Sequence, residues 1–170
     1  IQRIDALNGL ASRLGNSANE RCLNLANEAE KLARLEAYPK GILSALINQM
    51  HAYRFLGDYA RALKIAYEAL PLCEELDAQK EEAILFRSIG FIYGELGDFV
   101  KGLECHLKTL SIYTALNDIP AQALTLVNIG ISHSMADNPK QAIEYYQRSI
   151  ELDITASPSV RGRAYNSCCV

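Results

Sequence analysis

The sequence has no concentration of positive charge. Its 17 lysines and arginines are interleaved with 20 aspartates and glutamates, for a net charge of −3. A nucleic-acid surface needs clustered basic side chains to displace counterions, so no nucleic-acid partner is expected. No apolar run approaches the roughly 20 residues that span a bilayer, so no membrane partner is expected either. No signal or transit peptide is read at the start. IQRIDAL opens without a methionine inside an apolar pattern, and Cys168-Cys169-Val170 stops in mid-pattern. Both ends read as those of a segment excised from a longer chain.

Chemistry-bearing side chains are scarce and scattered. The three histidines are His51, His106 and His133. Cys105 beside His106 on one helix cannot form a nucleophile–base pair, because adjacent helical residues point apart. The five cysteines, at 22, 73, 105, 168 and 169, are odd in number and have no metal-site spacing. They read as reduced thiols, which points to the cytoplasm. No Ser–His–acid set and no phosphate-cradling glycine loop stands out. No catalytic residue, metal or cofactor is therefore expected. The one local charge imbalance, EELDAQKEE at 74–82, reads as a solvated helix junction.

What is present is helical periodicity. Apolar residues make up 49% of the chain and charged ones 22%, ordinary for a soluble globular protein. Leu43, Leu46, Ile47 and Met50 recur at helical spacing, as do Leu103, Leu107 and Leu110. Nothing alternates long enough to be a strand, so the expected fold class is all-α. Leu-Gly-Asp at 56–58 and at 96–98 ends one helix and starts another. Gly57 and Gly97 suit a left-handed helix terminus, and Asp58 and Asp98 suit the next N-cap. At 137–139 Asp137, Asn138 and Pro139 take over, with proline suited to the first turn. A second kind of break falls at 35–39, 76–78, 116–120 and 156–158. Helices are expected near 2–14, 18–35, 41–56, 59–76, 80–96, 99–116, 121–135 and 139–153, with a ninth from about 159.

The same hairpin returns every 40 residues: HAYRFLGDYARAL at 51–63, FIYGELGDFVKGL at 91–103, ISHSMADNPKQAI at 131–143. Leu46, Phe86 and Leu126 align, as do Tyr53, Tyr93 and His133. Gly90 and Gly130 coincide where the earlier hairpin has Met50. On the second helix Ala62, Gly102 and Ala142 form one series, and Ala66, His106 and Tyr146 another. Glycine inside a helix costs about 1 kcal/mol against alanine, so Gly102 reads as a point of close backbone approach. His106 and His133 occupy packing slots. No single hairpin can bury its own apolar face, so neighbours must stack.

Phe86, Ile89, Gly90, Tyr93, Gly97 and Phe99, with Leu126, Ile129, Gly130, Ala142 and Tyr146, form a pattern that resembles the tetratricopeptide repeat. The period is longer than the family's usual length of about 34, and the closing proline is not regular. Longer units of this kind look like those of Pins-type mitotic adaptors, kinesin light chains and bacterial peptide-sensing regulators. They also resemble arrays that precede bacterial cyclases and kinases, and LGDYxxAL is most similar to these bacterial arrays. The resemblance implies an α-solenoid of antiparallel helical hairpins forming a right-handed superhelix. It runs as a single array over 1–170, with repeats at about 1–37, 38–78, 79–118 and 119–156 and a partial fifth at 157–170. Residues 1–35 are fitted with a loop two residues longer.

In that family the face of each first helix opposite the aromatic stripe lines the concave groove. Here it carries Asn48, Ser88, Asn128 and Asn166, with Arg87 beside them. One turn on come His51, Phe91 and Ile131, then Arg54 and Glu95. An amide both donates and accepts, so such a ladder can pair with a peptide backbone. Phe91 and Ile131 would give apolar contacts, and Arg54 and Arg87 would favour an acidic ligand. The plainer alternative is that the asparagines bridge neighbouring helices. The resemblance implies a non-catalytic protein- or peptide-binding scaffold. The alternative is a sensor, regulatory or dimerisation domain of a larger bacterial signalling protein: a nucleotide cyclase, kinase or transcription regulator. A homodimer through the solenoid ends is a third expectation.

Overall fold

Eight helices and no strand occur among the described residues, 1–14 and 19–152, of the computed structural model. They are α1 (Gln2–Leu14), α2 (Asn19–Leu35), α3 (Pro39–Phe55), α4 (Tyr59–Glu75), α5 (Gln79–Glu95), α6 (Phe99–Ala115), α7 (Ile119–Met135) and α8 (Pro139–Leu152). The expected ninth helix, the partial fifth repeat and Asn166 lie outside the described residues. The bounds follow the sequence expectation within about two residues at each end, the ordinary scatter of helix termini. The two differences share a cause. Pro39 and Pro120 sit inside the first turns of α3 and α7 rather than ahead of them. A first-turn N–H has no intrahelical partner, so proline loses nothing there.

The two kinds of break are one motif. From α2 to α8 each turn is three residues long, and its middle residue has positive φ: Ala37, Gly57, Asp77, Gly97, Asn117 and Asp137. The N–H of the following residue reaches back across the helix end. Asp58 donates to the Tyr53 carbonyl at 2.9 Å, Ala78 to Cys73 at 2.8 Å and Asp118 to Tyr113 at 3.0 Å. This is the Schellman closure, which satisfies carbonyls the helix end would leave unpaired. Each turn therefore reverses the chain in the same way.

The Leu-Gly-Asp turns carry an added clasp. Asp58 accepts the Arg61 N–H at 3.0 Å and pairs with its guanidinium, which lies 4.5 Å from the Tyr53 ring centroid. Forty residues on, Asp98 accepts the Lys101 N–H at 3.2 Å and pairs with its ammonium at 2.7 Å, and that ammonium lies over Tyr93. The N–H and the cation both stabilise the carboxylate, so both aspartates are held below the usual carboxylate range. In the fourth hairpin His133 and Gln141 stand at the Tyr and cation positions. There His133 stacks on Tyr145 instead, with centroids 5.3 Å apart.

The chain divides into two compact units, Ile1–Leu85 and Phe86–Val170. In the first, α1 packs on α2 and α3, and α3 packs on α2 and α4. The buried stripes of α2 and α4 are small residues: Cys22, Ala26, Ala29 and Ala33, then Ala62, Ala66, Ala69 and Cys73. In the second unit α6 packs on α7 and α7 on α8. There the stripes are larger: Gly102, His106, Thr109 and Tyr113 on α6, and Ala142, Tyr146 and Ser149 on α8. A Cβ on Gly102 would lie 3.1 Å from the Gly90 carbonyl oxygen, so α5 and α6 do cross by close backbone approach. The glycine one turn along α5 is different, because a Cβ on Gly94 would meet nothing within 4 Å. Gly94→Ala is expected to stabilise the chain by about 0.5–1 kcal/mol, read as a raised urea midpoint, since only the helix-propensity cost of glycine is removed.

Candidate functional site

Two amides of the first unit meet at the contact of α1 with α3. Asn8 is buried on α1 with Ile4 and Ala11. The Asn8 Nδ2 donates to the Gly41 carbonyl at 3.0 Å, and the Asn48 Nδ2 donates to the Asn8 carbonyl at 3.1 Å. Both amides thus stitch α1 to α3, and Asn48 is only 7% exposed. Ser88 is buried on α5 as well. Asn128 is half-buried on α7.

The outward-facing positions lie one turn further on. In the first unit His51 and Arg54 are half-buried on α3, and the Arg54 guanidinium lies 4.2 Å from the Phe55 ring centroid. In the second unit Arg87 is half-buried, while Phe91 is 45% exposed on α5. Ile131, at 38%, and Met135, at 49%, are exposed on α7. On the same two helices Ile92 and Ile129 are wholly buried. Each helix therefore turns one apolar stripe to the core and presents large apolar side chains on another.

The titratable core groups are held in their neutral forms. Burial, and after it the Arg87 charge, lowers the His106 pKa to about 4. Its ring fills the space over Gly90, where a Cβ would lie 2.7 Å from its Cε1. Burial followed by Glu82 and Glu81 pushes the Cys73 thiol up to about 11, and burial also raises Cys22 and Cys105. A thiolate is the reactive form, so these cysteines are packing residues. No helix among the described residues is long and apolar enough to cross a membrane.

Helical hairpins of 40-residue period, closed by one turn motif and locked by small residues at the crossings, define a helical-repeat protein. The tetratricopeptide repeat family model matches residues 80–154, and this stretch, α5 to α8, belongs to that family. No curated protein sequence matches it. Among solved structures it is similar to the apo form of RapI, with 17% identity and a TM-score of 0.82 over 96% of this chain and 46% of that one. BtubC from P. vanneervenii is 18% identical, with a TM-score of 0.75 over 91% of this chain and 68% of that one. A signal transduction ATPase with numerous domains and a tetratricopeptide repeat sensor, from Pyrococcus horikoshii, is 14% identical. Its TM-score is 0.80, over 96% of this chain and 25% of that one. At such identities the likeness is one of fold. The chain spans less than half of RapI and a quarter of the ATPase.

Proposed function

We propose that the chain is a non-catalytic module that binds a protein or peptide, with the second unit presenting Phe91, Ile131 and Met135 as its apolar contacts. The observation that carries this reading is the exposure of these large side chains on helices whose cores are already complete. Exposed apolar groups that the scaffold does not need are the usual material of a recognition face. Arg87 and Asn128 flank them as hydrogen-bonding groups, and Arg87 favours an acidic ligand. In the first unit His51 and Arg54 hold the equivalent register. Asn48 and Ser88 serve the scaffold in this reading, and Asn166 keeps its place in the ladder by register alone.

Peptides selected from a random library on the 170-residue chain supply the test. Phe91→Ala and Ile131→Ala together are expected to weaken the selected peptides by at least about tenfold, or 1.4 kcal/mol. Circular dichroism should show unchanged helix content. Peptides that bind the double variant as well as the parent chain would refute the reading.

A regulatory role is the second reading. The Pyrococcus horikoshii ATPase carries its repeats as a sensor within a much longer protein, of which this chain matches a quarter. A cytoplasmic sensor segment that passes partner binding to a neighbouring domain would use the same face. Activity of such a domain that responds to the selected peptides would support it.

A further inference from the structure

A cleft of about 510 Å³ opens in the second unit between α6, α7 and α8. Leu110, Leu126 and Leu152 give it an apolar floor, and Thr114, Arg148 and Glu151 its rim. Gln122 is buried beside the floor, with its Nε2 fixed on the Tyr113 carbonyl at 3.1 Å. The volume falls in the range of small-ligand clefts.

The repeat register shows what such a slot can hold. Leu126 stands 40 residues after Phe86, and Arg148 stands 40 after Lys108. At the earlier position the Lys108 ammonium lies 5.0 Å from the centroid of the Phe86 ring. A benzyl group lies beneath a cation there. At the later position leucine replaces phenylalanine, and Arg148 lies over the Tyr145 ring instead, at 5.2 Å. Leucine holds this register in the first unit too, as Leu46, so the slot accepts either leucine or a ring beneath a cation.

We propose that this cleft is a second recognition site, and that it takes an aromatic side chain from a partner polypeptide. The ring follows from the preceding hairpin, where the equivalent position holds the protein's own Phe86 beneath Lys108. The peptide follows from the rim. Arg148 and Glu151 are both exposed, opposite in charge and one turn apart on α8. The peptide groups that flank an aromatic residue offer a carbonyl to the guanidinium and an N–H to the carboxylate. A simple anion or cation would meet one of the two as a like charge. Five residues of α-helix rotate by about 140°, so Leu126 lies nearly opposite Ile131 on α7. The site is thus independent of the Phe91 face and of the function proposed for it.

Saturation-transfer NMR on the 170-residue chain tests this, with N-acetyl-L-phenylalanine amide and N-acetyl-L-alanine amide as probes. Transfer is expected to the ring protons of the phenylalanine probe and not to the alanine probe. Leu126→Phe fills the slot and is expected to abolish transfer. Arg148→Ser changes only an exposed side chain, so it remains informative if Leu126→Phe fails to fold. It is expected to reduce transfer by about threefold or more through loss of one charge-assisted bond. Ile131→Ala should leave transfer unchanged. Absence of transfer, equal transfer to both probes, retention in Leu126→Phe or Arg148→Ser, or loss in Ile131→Ala would each overturn the proposal.

Discussion

A chain carrying Gly130→Met is expected to lose about 3 kcal/mol of stability through overpacking, and adding Tyr146→Ala is expected to restore most of it. A Cβ on Gly130 would run into the Tyr146 ring. Forty residues earlier, Gly90 faces the His106 ring in the same way. The first unit inverts the pair in register, with Met50 on the first helix and Ala66 on the second, both wholly buried. One position of the crossing is large and the other small, and either helix can carry the large one. Gly130→Met alone puts two large groups into one space. Tyr146→Ala alone removes an aromatic and leaves a cavity, at a cost of about 3–5 kcal/mol. Together they rebuild the Met50–Ala66 pair in another hairpin. Urea unfolding of the four chains closes the cycle. A double variant no more stable than the sum of the single losses would show that the crossing does not conserve volume.

These pairs also separate what sequence reveals from what it hides. Helix bounds and the 40-residue period were readable because they rest on local chemistry: apolar spacing, a turn residue, a cap. Gly102 was readable too, since a glycine in register with Ala62 and Ala142 has one ready explanation. The turns at Ala37, Asp77 and Asn117 looked like a separate kind because residues with a Cβ seldom take positive φ. The hydrogen bonds that close those helix ends impose the conformation, and they are visible only in three dimensions. The candidate face was readable in part. The helical wheel sends Phe91 and Ile131 outward, and they are outward. It cannot tell whether an amide at Asn48 meets a partner or a neighbouring carbonyl, because that depends on the distance to α1. The space beside Leu126 was harder still. It is visible only in three dimensions, because an alignment of apolar residues treats Leu126 and Phe86 as equivalent.

Lowering the pH from 7 to 4 is expected to remove about 3 kcal/mol of stability through His106 alone, by proton linkage. Its pKa in the fold is about 4, against an ordinary 6.5, because burial disfavours the imidazolium and the Arg87 charge opposes it further. The unfolded chain therefore binds the extra proton between these values. Stability is full above about pH 6.5 and is lost progressively as pH falls toward 4. The helix-capping carboxylates act elsewhere on the scale. Asp58 and Asp98 are held below the ordinary 3.8, so their contribution is lost only at still lower pH. His106→Tyr is the natural control, because tyrosine is what the next hairpin places opposite its glycine at Gly130. Tyrosine does not titrate in this range, so the variant should keep its urea midpoint nearly level between pH 7 and 4.5 while the parent chain falls. Parallel curves for the two chains would mean that the imidazole takes up its proton without leaving the fold, and that the space over Gly90 admits a charge.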